Sequence, residues 1–396
     1  MVRFGIRLPE KNLLTIKQLR LLSESIGGVP DPRSNTHLIH HPLNTIILSA
    51  ILANICGCDS WEDMAWFVNR RLDQFRLLLD FPNGAPSHDT YRRVFSIIDP
   101  SIFERCFENW VIAVVRGSEK QLIEKAHLAI DGKTVRRSHD SANDKLPLHV
   151  VSAWSSTFGL VLGQRKTAEK SNEIRAIPDL LETLNIQNTV VSIDAIGCQS
   201  NIAEQIIKKG GDYVLALKDN QPVTHQLVKD LFEQSPHSQR SHRFTTTDEK
   251  KHGRSEEREY LSTDVLNDNI QTQIRWPSLK SVLRVNSTRL INGKHSIEAR
   301  HYLSSVPANE IEFTAICIRK HWEIENKVHW TLDMALREDE CRKRTKDSAE
   351  NFALMRKFVL NILKSYQAKS SRKISIKSLR KFCAIDFWHL VDVLSG

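Results

Sequence analysis

The chain has 396 residues, 40% hydrophobic and 26% charged, an ordinary composition for a folded protein with room for two or three domains. Lys and Arg total 56 against 47 Asp and Glu, and the formal charge of +9 suits a polyanionic partner such as nucleic acid. The N-terminus lacks the apolar run of a signal peptide, and the most apolar stretch, Thr45 to Cys56, is too short to cross a bilayer, so the expectation is a cytoplasmic, non-membrane protein. Seven cysteines without a C-x-x-C pair read as buried, reduced thiols, and Cys56-Gly-Cys58 has the wrong spacing for a zinc knuckle.

Residues 1 to about 120 are predicted to be mostly helical. Leu43, Ile46, Ile47, Ala50 and Ile51 repeat at helical spacing, as do Trp61, Met64, Ala65, Val68 and Leu72. Pro82-Asn-Gly84 breaks the chain, Ser87 stands as an N-cap for a helix through Ile98, and Asp99-Pro100 opens another through Val115. Arg92 and Arg93 place two cations on the first of these helices. They suit a DNA groove, with a solvated face on a core helix as the alternative.

From about residue 126 the pattern becomes α/β. Ala126 to Asp131 is a predicted strand, and His149 to Trp154 with Leu160 to Arg165 make a hairpin. A helix at Pro178 to Leu184, a strand at Thr189 to Asp194, a helix at Asn201 to Lys208 and a strand at Tyr213 to Lys218 follow. This order, βββ-α-β-α-β, is that of an RNase H-like core, with Asp131 on its first strand and Asp194 on its fourth. The next core helix comes only after about residues 219–310. That stretch opens with a helix at Gln226 to Glu233, passes a polar run at Ser235 to Glu249, and then reads as a β-rich insertion. Its candidate strands are Arg254 to Leu261, Gln273 to Arg275, Lys280 to Arg289 and Ser296 to Leu303. From about 346 the chain is basic and helical, with nine Lys and Arg and no acid between Asn351 and the end of Ile385, which favours a phosphate-facing surface.

Asp131 and Asp194 each end a short apolar run, and Glu325 falls on a helical pattern. Hard divalent cations take carboxylate oxygens, and a pair of ions needs acids from several elements converging on one point. Either aspartate alone could merely cap the turn after its strand. Glu325 shares a helix face with Ile318, His321, Trp322, Val328, His329 and Leu332, an apolar face expected to pack on the sheet, where a carboxylate is costly unless a cation compensates it. Glu323 neighbours Arg319, Lys320 and Lys327 on a solvated face, and Asp333 is the reserve candidate. Glu173, at a helix start, reads as an acid complementing the helix dipole.

With these residues in view, the chain resembles the H-repeat-associated (ISAs-type) insertion-sequence transposases of the DDE superfamily, over nearly its whole length. His41-Pro-Leu, Asn83-Gly-Ala-Pro-Ser-His-Asp-Thr90, Arg93-Val-Phe95 and Asp99-Pro100 look like that group's N-terminal associated region. Asp131-Gly-Lys-Thr, Glu169-Lys-Ser-Asn-Glu173-Ile, Asp194-Ala, Leu217-Lys-Asp-Asn-Gln221, His252-Gly-Arg254 and His321-Trp-Glu-Ile-Glu325-Asn-Lys-Val-His-Trp330 look like its catalytic region. The resemblance implies an N-terminal end-binding domain over about 1–120 and a catalytic domain over 121–390. It implies a transposase that binds the element's terminal inverted repeats, cuts DNA and joins the 3′-OH to a target. Asp131, Asp194 and Glu325 would hold two Mg²⁺ or Mn²⁺ ions. Double-stranded DNA is the implied partner, a homodimer or higher oligomer the implied assembly, and the nucleoid the implied place.

Many relatives with a β-rich insertion set a tyrosine and an arginine before the third acid and a lysine after it. Here those positions are Ile318, His321, and His329 or Leu332, so Arg319, His321 and Lys327 are the nearby candidates for gripping phosphate. Lys133, Arg136, Lys218 and Arg254 are further phosphate candidates, with generic surface cations as the alternative. Trp276 could stack on a flipped base or be a core aromatic. The competing functions are an RNase H-like nuclease without strand transfer and a catalytically inactive DNA-binding relic.

Overall fold

The computed structural model describes residues 16–34, 39–117, 125–139, 146–167, 172–234, 241–250, 254–264, 274–291 and 294–396. Apolar runs bounded by turns give strands β1 (Ala126–Thr134), β2 (His149–Ser155), β3 (Leu160–Thr167), β4 (Thr189–Ile193) and β5 (Asp212–Leu217). Helices α7 (Glu173–Thr183) and α8 (Ser200–Lys208) connect the last three. β1 pairs antiparallel with β2 and parallel with β4, and β4 pairs parallel with β5. The predicted helix at Pro178 begins five residues earlier, at Glu173, and carries Pro178 inside it. Ala176, Ile177, Leu180 and Leu181 bury one stripe of α7, and that packing outweighs the roughly 3 kcal/mol cost of an interior proline.

The β-rich stretch does not form a separate sheet. After α9 (Pro222–Gln234), strands β6 (Ser241–Lys250), β7 (Arg254–Thr263), β8 (Ser281–Ile291) and β9 (Lys294–Ser304) follow. β9 pairs antiparallel with β5, so one nine-stranded mixed sheet runs in the order β3-β2-β1-β4-β5-β9-β8-β7-β6. Part of the expected polar run is in fact strand β6, whose residues pair with β7 from Ser241 to Lys250. An edge strand draws on backbone pairing along one side only, so its side chains can stay polar. In the expected strand at 273–275, Ile274 and Arg275 are not strand, and Gln273 lies outside the described residues. Trp276 packs against the buried cluster under the sheet, as a core aromatic.

The N-terminal helices are α1 (Lys17–Ile26), α2 (Leu43–Ile55), α3 (Trp61–Arg70), α4 (Leu72–Phe75), α5 (His88–Ile97) and α6 (Pro100–Arg116). The expected caps form: Ser87 Oγ accepts from Thr90 N–H at 3.2 Å, and Asp99 Oδ1 from Ser101 N–H at 2.8 Å. After β9 come α10 (Ile311–His321), a π-helical turn (Glu325–His329) and α11 (Trp330–Leu336). The C-terminal helices are α12 (Ser348–Lys369), α13 (Ile376–Ile385) and α14 (Phe387–Ser395). α2 is buried at every residue but Asn44 and shares one core with α12. Phe107 meets Phe358 edge to face at 4.9 Å between centroids, and Trp61 meets Phe352 at 4.9 Å. Asn361 of α12 bonds both the N–H and the C=O of Val161, tying this helical layer to the sheet edge at β3.

The basic C-terminal stretch is therefore not wholly a solvated face. Arg356, Lys357 and Arg380 are buried. Arg356 donates to the carbonyls of Leu336 and Arg337, and Arg380 pairs with Asp59 at 2.6 Å. Lys357 donates to Gln164, and burial pushes its ammonium down to about 8. All seven cysteines are free and buried. Among the described residues no helix is long and apolar enough to cross a membrane.

Candidate metal centre

β1 and β4 run side by side with Ile130 opposite Ile193, so Asp131, inside β1, and Asp194, just past the end of β4, stand at the same level. Asp131 follows the buried run Leu128–Ile130 and has a side chain only 15% exposed. Burial first, then the charges of Glu325 and Asp194, push its carboxyl up to about 8. Asp194 is also raised, by burial first and then by Glu173. Asp194 Oδ1 accepts the N–H groups of Ile196 at 3.1 Å and Gly197 at 3.4 Å, so it caps its turn as well as facing the cleft.

Glu325 comes from the opposite side. α10 packs against the sheet through Ala315 and Ile318, and His321 Nδ1 lies 3.0 Å from Ser192 Oγ on β4. Ser192 Oγ in turn lies 2.8 Å from His127 Nε2 on β1, so a buried polar chain fixes the end of α10 to both acid-bearing strands. Glu325 then opens the π-helical turn, in which Trp330 N–H donates to Glu325 C=O. Glu325 is not buried as the helix-face reading expects: its side chain is 54% exposed, because it points along the open cleft. The cost of charge falls instead on Asp131. The imidazole of His329 holds the Glu325 carboxyl below its ordinary range. Glu323 pairs with Lys327 at 2.8 Å.

Among the described residues, Asp131, Glu325 and His329 each offer one donor atom within 4.8 Å of one another. A buried, charge-depressed aspartate beside two further acids fits a divalent cation, which would remove the repulsion and repay the desolvation. A cavity of about 350 Å³ opens beside these acids between β5, β9 and α10, with Lys218, Arg300, His301 and Trp322 in its wall. The Arg300 guanidinium lies 5.0 Å from the centroid of the Trp322 ring.

The other phosphate candidates divide. Lys218 is exposed in the cavity wall. Arg319 is exposed and borders a neighbouring cavity with Arg258, Arg289 and Arg300. Arg136 is 81% exposed, 3.3 Å from Asp339, and Lys327 is exposed in its pair with Glu323. The Arg254 side chain lies outside the described residues. Arg92 is exposed and paired with Asp89, while Arg93 borders a separate cavity of about 600 Å³ with Arg33, His40, His41 and Asn83.

Two candidates are corrected. Lys133 is not a surface cation: its ammonium lies 2.7 Å from Asp333, 3.0 Å from Glu338 and 3.2 Å from Asp339, and is 12% exposed. His321 has its Nδ1 committed to Ser192 at 3.0 Å, and burial pushes its imidazole down to about 4, so it is set to hold α10 on β4 rather than to grip phosphate as a cation.

Glu173 is the residue that sequence reasoning under-read. It is buried, 2.7 Å from His149 Nε2, and its charge raises both aspartates. His149 Nδ1 lies 2.7 Å from Thr134 Oγ1, so the pair is held under the end of β1. A helix-start acid opposite a strand histidine was the available signal, and helix-dipole complementation explained it too easily.

Comparison with known proteins gives the family. Residues 23–111 match the family described as DDE_Tnp_1-associated, and residues 123–362 match the Transposase DDE domain family. The chain is 39% identical over 386 residues to "H repeat-associated putative transposase YhhI" of Escherichia coli (strain K12), covering 96% of this chain and 99% of that one. YbfD, a shorter E. coli K12 protein of the same description, is 40% identical over 248 residues, 63% of this chain and 96% of its own length. "Inactive transposase YbfQ" of the same strain matches 20% of this chain at 40% identity. A cryo-EM structure of the piggyBac transposase synaptic complex with hairpin DNA overlaps at a TM-score of 0.45 and 10% identity, covering 97% of this chain and 82% of that one, a likeness too slight to bear on the chemistry. With one family match over more than half its length and a relative matched almost end to end, the chain belongs to the DDE transposase family.

Proposed function

We propose that this protein is an active DNA transposase, cutting the phosphodiester at the ends of its element and joining the freed 3′-OH to target DNA. The observation that carries this reading is that Asp131, Asp194 and Glu325, from two neighbouring strands and a helical turn, line one cavity. The strand order β3-β2-β1-β4-β5, with β1 antiparallel to β2 and parallel to β4, supports an RNase H-like core beneath it.

Asp131, Asp194 and Glu325 would hold two Mg²⁺ or Mn²⁺ ions. Bound there, such cations supply a water of lowered pKa and charge stabilisation for the leaving 3′ oxygen. The chain's own residues do the rest. Lys218 and Arg300 line the cavity where a phosphodiester would lie, and Arg319 extends the cationic border to the neighbouring cavity. The Ser192–His127–His321 chain keeps the Glu325 turn in register with β1 and β4. End recognition is assigned to the N-terminal helices, within about 1–120, and catalysis to 121–390. Double-stranded DNA is the partner, a homodimer or larger assembly forms on it, and the nucleoid is its place of action.

The test is incubation of the purified chain with DNA carrying the gene's flanking sequences, with and without Mg²⁺ or Mn²⁺. Metal-dependent cuts at the element's ends, followed by joined products, are expected. Cuts without joining favour a nuclease, and no cut with intact DNA binding favours an inactive relic.

A further inference from the structure

We propose that His329 is itself a cation ligand, its Nδ1 completing a mixed nitrogen–oxygen site with Asp131 and Glu325. The inference rests on the reading of this cluster as a divalent-cation site. It goes further by adding a nitrogen donor to a set of acids and by naming the kind of cation that set selects.

His329 is 6% exposed and closes the π-helical turn that Glu325 opens. Val328 and Leu332, both fully buried, anchor that turn and leave the imidazole little freedom. Its Nδ1 lies 3.5 Å from Asp131 Oδ2 and 3.6 Å from Glu325 Oε2. Both distances exceed a direct N–H···O bond, which spans about 2.7–3.2 Å. They match two ligands on one cation: bonds of about 2.1 Å set neighbouring donors roughly 3–4 Å apart. Among the described residues buried Nε2 has no hydrogen-bond partner, and the ring engages the two acids through Nδ1.

A surface carboxylate cluster would carry no such weight, because exposed acids gather without metal. Here a side chain more than nine-tenths buried presents a ring nitrogen midway between two carboxylates from different elements. Imidazole suits first-row transition metals, whereas Mg²⁺ prefers an all-oxygen shell. The Asp131–Glu325–His329 position thus favours a first-row divalent transition ion over Mg²⁺, and Mn²⁺ is the member of that class whose bound nitrogen EPR can read.

The experiment is Mn²⁺ binding to the full-length protein, followed by EPR and electron spin-echo envelope modulation. Wild type should show ¹⁴N coupling to bound Mn²⁺. His329→Ala and the more conservative His329→Asn should lose that coupling and weaken Mn²⁺ affinity at least about 10-fold, with a smaller loss for Mg²⁺. Asp131→Asn serves as the control for the site. If wild type binds Mn²⁺ in an Asp131-dependent way but without ¹⁴N coupling, His329 is not a ligand and the acid site stands. If coupling persists in both folded His329 variants, another nitrogen is responsible and the inference fails. If Asp131→Asn binds Mn²⁺ as wild type does, or wild type binds none, the reading of the site fails as well.

Discussion

Lys133 Nζ lies 2.7 Å from Asp333 Oδ1, and this pair separates the two acids that compete for the third catalytic place. Asp333 is already spent: with Glu338 and Asp339 it neutralises a lysine that burial would otherwise disfavour. Among the described residues Glu325 pairs with His329 rather than with a lysine or arginine, and it faces Asp131. Glu325→Gln should therefore lower cleavage by about 10³-fold, the several kcal/mol expected for a lost cation ligand. Asp333→Asn should leave the cation site formed but cost about 1–3 kcal/mol of stability, because a charged hydrogen bond is lost around a nearly buried lysine. Urea unfolding and a cleavage assay on both variants decide it. A stable Asp333→Asn that cannot cut, beside a Glu325→Gln that can, reverses the assignment.

Gly132, next to Asp131, is a second sensitive point. A Cβ built there would lie 2.4 Å from Glu173 Oε1 and 2.6 Å from His149 Nε2. Neither side chain can swing aside cheaply, since each is buried and holds the other. Gly132→Ala should thus displace the end of β1, costing about 3 kcal/mol or more and taking cleavage with it. An alanine variant with unchanged urea midpoint and full activity would mean that the Glu173–His149 pair is looser than this geometry.

The core strands were legible because Leu128–Ile130, Val190–Ile193 and Tyr213–Leu217 are apolar runs cut off by polar residues. Asp131 and Asp194 stood out for the same reason. β6 was not legible, since its polar residues carry no period and only pairing with β7 orders them. Lys133 looked like a surface cation because the acids that bury it lie about 200 residues further on. The π-helical turn also left no mark, as a helical pattern in sequence does not reveal one extra residue per turn. Glu173 needed the packing of α7 across β2 before its contact with His149 existed.

Glu104 on α6 gives a pH dependence unconnected with catalysis. It is nearly buried beside Arg165, Gln164 and Glu108, and burial pushes its carboxyl up to about 7 from 4.5. The folded chain keeps this proton between roughly pH 4.5 and 7, while the unfolded chain has already released it. Stability must then fall as pH rises through that window. Glu104→Gln should flatten this slope and be at least as stable as wild type above pH 7, by an amount on the order of 1–3 kcal/mol. Urea midpoints at pH 5 and pH 7.5 measure it. Wild-type stability that rises across this interval while Glu104→Gln stays flat would contradict the assignment.

End recognition by the N-terminal helices cannot be tested by removing them. α2, α5 and α6 share their core with α12, so a chain starting near residue 121 would expose Phe352 and Phe358 and lose its fold. Point substitutions on the outer face are the usable probe. Arg93 borders the cavity formed with Arg33, His40, His41 and Asn83, inside the stretch 23–111 matched to the DDE_Tnp_1-associated family. Arg92, one residue away, is already paired with Asp89. Arg93→Ala should weaken binding to the element's ends by about 1–3 kcal/mol and erode the preference over random DNA, as loss of a base-reading contact does. Arg92→Ala should cost less and affect both DNAs alike. Gel-shift titrations at two salt concentrations compare them. If Arg93→Ala retains full end preference, the recognition surface lies elsewhere on the chain.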